Sequence, residues 1–114
     1  MAVLITDENV EETLSKNKVV LLDVFATWCG PCKMLSPIID GLSMKNSGTE
    51  GLVIGKADVD ESPYISNEKF KVRSVPTVFI IKNGEVKETI VGSNPESKYQ
   101  EAIDKYLADE DEEF

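Results

Sequence analysis

The chain has 114 residues, enough for one compact domain and too few for two. Hydrophobic residues make up 41% and charged residues 29%, and no apolar run approaches the ~20 residues that cross a bilayer. With 21 acidic against 12 basic side chains and a net charge of -9, the chain lacks the basic footprint of a nucleic-acid binder and gains nothing from anionic membranes.

Val3, Leu4 and Ile5 read as a short strand within residues 2–6, with no basic start and no long apolar core, so a secretory leader is not expected. Thr6 or Asp7 is placed to cap a helix running to about Lys16, with Val10 and Leu14 facing inward. In residues 19–25, Asp23 is the one polar side chain of a strand that must be buried on both faces. A second helix begins after Gly30-Pro31, with Met34, Leu35, Ile38, Ile39 and Leu42 at helical spacing and Pro37 inside it. Residues 52–59 form another central strand, and a shorter helix with Tyr64, Ile65 and Phe70 as its apolar residues follows Ser62-Pro63. Asn83-Gly84 between residues 77–82 and 85–91 is a strong hairpin signal. The last helix runs from about Pro95 to Leu107, with Asn94 or Ser93 as its cap. This order implies an α/β domain over residues 1–108 with helices on both faces of one sheet. An acidic tail at residues 109–114 is expected to be solvated.

Histidine is absent, which removes Cys–His and Ser–His catalytic pairs and every His-containing metal site. The two cysteines, Cys29 and Cys32, lie in Trp28-Cys29-Gly30-Pro31-Cys32-Lys33, between the buried strand and the helix. A spacing of three lets the sulfurs meet across one helical turn. The helix start offers Cys29 free N–H donors and the positive end of the macrodipole, and both favour thiolate. Gly30 leaves Cys29 unshielded, and Pro31 restricts the backbone. A zinc ribbon would need two further Cys or His ligands, so no metal is expected. A purely structural disulfide closing so short a loop would contribute only ~2 kcal/mol. CxxC between a strand and a helix in a βαβ pattern instead reads as a redox motif.

Asp23, in an apolar strand, is expected to have a raised pKa; it is either a proton acceptor for a nearby thiol or a structural aspartate at a strand end. Val75-Pro76 precedes a strand, where proline belongs, and a trans bond is the default. Trp28 reads either as core or as contact surface.

In WCGPC, in Asp23 six residues before Cys29, in Val75-Pro76-Thr77, in Lys82-Asn83-Gly84-Glu85 and in Val91-Gly92, the chain resembles the thioredoxin family over about residues 2–107. The resemblance implies the thioredoxin fold, a central mixed five-stranded sheet ordered 1-3-2-4-5 and flanked by four helices. It also implies a cis Val75-Pro76 bond beside the dithiol. Val75 would then offer its backbone to an extended substrate peptide, with Gly92, Trp28, Gly30 and Pro31 lining the same groove. Lys56 would influence the titration of Asp23; its alternative is a snorkelling lysine.

The function expected is reduction of protein disulfides by dithiol–disulfide exchange. Cys29 is the nucleophile, Cys32 resolves the mixed disulfide, and Asp23 assists proton removal from Cys32. No bound cofactor is expected. Reducing equivalents come, by resemblance, from NADPH through a thioredoxin reductase, and the chain is expected to be a cytoplasmic monomer. A redox-independent binding subunit using the same groove is the alternative, separated by cysteine-to-serine variants.

Overall fold

The computed structural model describes residues 2–108; the acidic tail expected at residues 109–114 lies outside them. Strand β2 (Val19–Phe25) generates both halves of the core. Its successive side chains point to opposite faces of the sheet. Val19 and Leu21 pack with Leu35, Ile39, Tyr99 and Ile103 on one face. Val20, Leu22 and Val24 pack with Val10, Leu14 and Ile65 on the other. A strand buried on both faces cannot alternate polar with apolar, which is why residues 19–25 read as a continuous apolar run.

Around β2 the chain lays down β1 (Val3–Leu4), α1 (Val10–Lys16), α2 (Gly30–Lys45) and β3 (Leu52–Asp58). A six-residue π-helical turn (Tyr64–Lys69), β4 (Thr77–Lys82), β5 (Glu85–Val91) and α3 (Glu96–Ala108) complete it. The sheet order is β1-β3-β2-β4-β5, as the resemblance implied. β3 runs parallel to β1 and β2, and β4 runs antiparallel to β2 and β5. The β4–β5 connection is a two-residue turn with φ 53° at Asn83 and 83° at Gly84. Two left-handed residues in succession match the twist of the strands they join.

Several expectations are corrected by contacts distant in sequence. Asp7 does not cap α1. Its carboxylate accepts the backbone N–H groups of Tyr64 at 3.1 Å and Ile65 at 3.0 Å, so it caps the π-helical turn instead. Asn9 takes the N-cap position of α1, and its side-chain oxygen turns back to accept the Thr6 N–H. β1 covers only Val3–Leu4, although the Ile5 N–H still donates to the Lys56 carbonyl at 2.8 Å. Val59 falls outside β3, but its N–H bonds to Phe25 O. Met34 is 70% exposed because it lies off the Leu35–Ile39–Leu42 stripe. Asn94 does not cap α3; its N–H donates to the Tyr99 hydroxyl. Pro37 lies inside α2, as its spacing implied.

Gly55 is where β3 passes closest to the N-terminal segment. A Cβ there would lie 2.7 Å from Ile5 Cγ1 and 3.0 Å from the Val3 carbonyl oxygen. Ile5 is fully buried and has no room to retreat. Gly55→Ala is therefore expected to destabilise the fold by about 1–3 kcal/mol, read as a lower urea midpoint at unchanged slope.

Candidate active site

Cys29 sits at the N-cap of α2 with an extended backbone, and its Sγ accepts the Cys32 N–H at 3.1 Å. One of the unpaired donors of the helix start is thus aimed at sulfur. Pro31 in the first turn removes a donor that the helix has no use for, and no acidic residue in that turn offsets the macrodipole. Cys29 and Cys32 are joined as a disulfide, with Cα atoms 5.3 Å apart. Cys29 is 6% exposed and Cys32 3%. Cys29 is therefore the more exposed of the two cysteines by a small margin.

Three segments frame the disulfide. Trp28 is 69% exposed, which removes the core-packing reading, and its indole N–H donates to Asp60 Oδ2 at 3.1 Å. Gly30 and Pro31 are exposed beside it. The Val75–Pro76 peptide is cis, and the Val75 carbonyl oxygen lies 3.7 Å from Cys29 Sγ. In the disulfide there is no S–H, so this is a contact; only a Cys29 thiol could donate to it. The Gly92 N–H donates to the Pro76 carbonyl at 2.9 Å. Gly92 has φ +86°, a conformation that strains any residue with a Cβ. Its carbonyl accepts the hydroxyl of Tyr99, a buried side chain that anchors this loop to α3.

Behind the disulfide lies a cavity of about 220 Å³ lined by Asp23, Cys32, Ser36 and Lys56 among others. Asp23 shares the sheet face of Val19 and Leu21, and that face is the one α2 covers. Lys56 is its register partner on β3. Asp23 is 1% exposed, and its Oδ1 is buried with no hydrogen-bond partner. Burial raises its pKa from 3.8 to about 7; the positive charge of Lys56 pulls it down in part, and the negative charge of Asp40 pushes it up. Lys56 does not snorkel. Its Nζ lies 3.1 Å from Asp40 Oδ1 and donates to Ser36 Oγ at 2.5 Å. Burial alone would raise the pKa of Asp40, but the Ala2 N–H and the Lys56 ammonium outweigh it and hold the carboxyl below its usual range.

Ser36 and Asp40 are not apparent as site residues from the motif alone. Their signal was the spacing: Cys32, Ser36 and Asp40 recur every four residues, which puts them in one row along α2. Among the described residues, no group of three or more His, Cys, Asp and Glu side chains could hold a metal ion, and no helix is long and apolar enough to cross a membrane.

Comparison with known proteins agrees with this geometry. The thioredoxin family model matches residues 1–105. The chain is 44% identical over 103 residues to the thioredoxin of Listeria monocytogenes, covering 90% of this chain and 96% of that protein. It is 40% identical over 105 residues to the chloroplastic M-type thioredoxin of Spinacia oleracea, covering 91% of this chain but 56% of that longer protein. Among solved structures, Malassezia sympodialis thioredoxin superposes with a TM-score of 0.81 at 36% identity, covering 93% of this chain and 90% of the other. A dithiol at a helix mouth on this fold performs thiol–disulfide exchange, and the chain belongs to the thioredoxin family of protein-disulfide oxidoreductases.

Proposed function

We propose that the protein reduces disulfides of other proteins, with the two cysteines in distinct roles. Cys29 thiolate attacks one sulfur of the substrate disulfide. A Cys29–substrate bond forms as the substrate's own S–S bond breaks, and the departing sulfur takes up a proton. Cys32, deprotonated with the help of Asp23, then attacks Cys29 Sγ. The Cys29–Cys32 bond forms, the second substrate sulfur leaves, and the pair has given up two electrons.

The observation that carries this reading is the Cys32 N–H aimed at Cys29 Sγ at the start of α2. It favours negative charge on the outer sulfur and so makes Cys29 the attacking thiolate of the first exchange. Val75 offers its backbone to an extended peptide, Gly92 allows that peptide to approach closely, and Trp28, Gly30 and Pro31 line the groove beside the cis Pro76. Lys56 tunes Asp23. Recharging comes from NADPH through a thioredoxin reductase, with no cofactor bound by this chain. The active unit is a cytoplasmic monomer, one domain over residues 1–108, with residues 109–114 appended as a tail. It takes no nucleic acid and no membrane as partner.

The test is reduction of insulin with NADPH and a thioredoxin reductase, together with the reduction potential of the Cys29–Cys32 pair. Catalytic turnover and a potential more reducing than that of insulin are expected. A rate no faster than without the protein would overturn the reading.

A further inference from the structure

We propose that Ser36 and Asp40 are positioning residues that clamp the Lys56 ammonium against α2 and off the Asp23 carboxyl, and so set the pH at which Asp23 exchanges its proton. Lys56 and Asp23 are register partners on adjacent parallel strands, and their side chains share the face covered by α2. Such a cation and anion would ordinarily pair. Here the Nζ of Lys56 is taken by Ser36 Oγ at 2.5 Å and Asp40 Oδ1 at 3.1 Å. Asp23 Oδ1 is left buried without a partner. The i, i+4 spacing of Ser36 and Asp40 aims both at one point, and Asp40 is itself held by the Ala2 N–H at 3.2 Å.

The clamp works because an ammonium lowers a carboxyl's pKa steeply with proximity. Held by Ser36 and Asp40, Lys56 offsets only part of the burial that raises the pKa of Asp23 to about 7. Released, it would swing to the unpartnered oxygen and ionise it. The other groups facing Asp23 do not substitute for this. On α2, Cys32 and Lys33 line the same cavity, and Cys32 does not titrate in the disulfide. From α3, Tyr99 senses the Asp23 charge, but its pKa is raised above 10.0. On β4 the register partner is the apolar Val78.

The test is carboxyl-carbon NMR titration of Asp23 in the full-length disulfide form, where neither cysteine contributes a coupled proton. Ser36→Ala is expected to lower the midpoint by about one pH unit, a tenfold weaker hold on the proton. Ser36→Thr, which keeps the hydroxyl, should leave it near the native value. Lys56→Met should raise the midpoint, and adding Ser36→Ala to it should change nothing further. Asp40→Asn should also lower the midpoint, and by more with Lys56 present than absent; that comparison serves if Ser36→Ala fails to fold. A Ser36→Ala midpoint equal to the native one, or a shift that persists without Lys56, overturns the clamp. That Asp23 then takes its proton from Cys32 rests on the function proposed above. If the midpoint moves but the pH dependence of mixed-disulfide resolution does not follow, the clamp stands and the proton role of Asp23 falls.

Discussion

Cys29→Ser is expected to abolish disulfide reduction, with turnover falling on the order of 10³-fold or more, because the remaining thiol, Cys32, is the less exposed of the two and has no partner cysteine to complete the exchange. Cys32→Ser should also lose turnover but fail at a different step. Its Cys29 still attacks, the mixed disulfide has no internal thiol to resolve it, and covalent complexes accumulate. Non-reducing electrophoresis of each variant after mixing with disulfide-containing proteins reads the difference. Trapping by Cys29→Ser and not by Cys32→Ser would reverse the two roles. The narrow exposure of Cys29 in the disulfide, 6%, sharpens a companion measurement. After full reduction, an alkylating reagent at neutral pH should modify Cys29 well before Cys32, since Cys29 is the sulfur that faces the helix N–H donors and is the more exposed of the two. A Cys29 inert under those conditions would remove the thiolate on which the mechanism depends.

The second large effect is on stability. Asp23 has a folded-state pKa raised from 3.8 to about 7, chiefly by burial. Between these two values the folded chain holds a proton that the unfolded chain has released. Stability therefore falls as pH rises through this window, and the full cost of a buried carboxylate is present above it. A shift of this size corresponds to roughly 3–4 kcal/mol between pH ~4 and pH ~8. Asp23→Asn removes the titration while keeping the shape. Whatever the amide itself costs, the stability of the variant relative to the native protein should improve by about that amount from pH ~4 to pH ~8. Urea unfolding of both proteins in the disulfide form measures it without interference from thiols. A difference that stays constant with pH would mean that Asp23 ionises in the fold as easily as in water. The same variant should slow mixed-disulfide resolution, and identical kinetics between about pH 6 and 9 would leave Asp23 with no part in proton transfer.

The chemistry was legible because it is local. Cys29, Gly30, Pro31 and Cys32 span one helical turn after a buried strand, and their mutual geometry needs little beyond the helix itself. β2, β4 and β5 were readable for a related reason: an unbroken apolar run and an Asn-Gly turn each specify their own structure. The start of α1 is not legible locally because Asp7 satisfies the amides of Tyr64 and Ile65, across more than fifty residues of chain, and no local pattern reports that preference. The cis Val75–Pro76 bond and the sheet order came from family resemblance, since periodicity carries neither.

Residue types and spacing alone determined that this chain carries a redox dithiol at a helix start in an α/β domain, and that Asp23 is a carboxyl under desolvation. Tertiary structure decided which charges Asp23 meets. The parallel register of β2 and β3 sets Lys56 opposite it, and the packing of α2 on that face gives Lys56 to Ser36 and Asp40 instead. The physical reason is range. Hydrogen bonds along one helical turn are written in neighbouring residues, whereas the competition of two oxygens for one buried ammonium exists only after three separate segments have met.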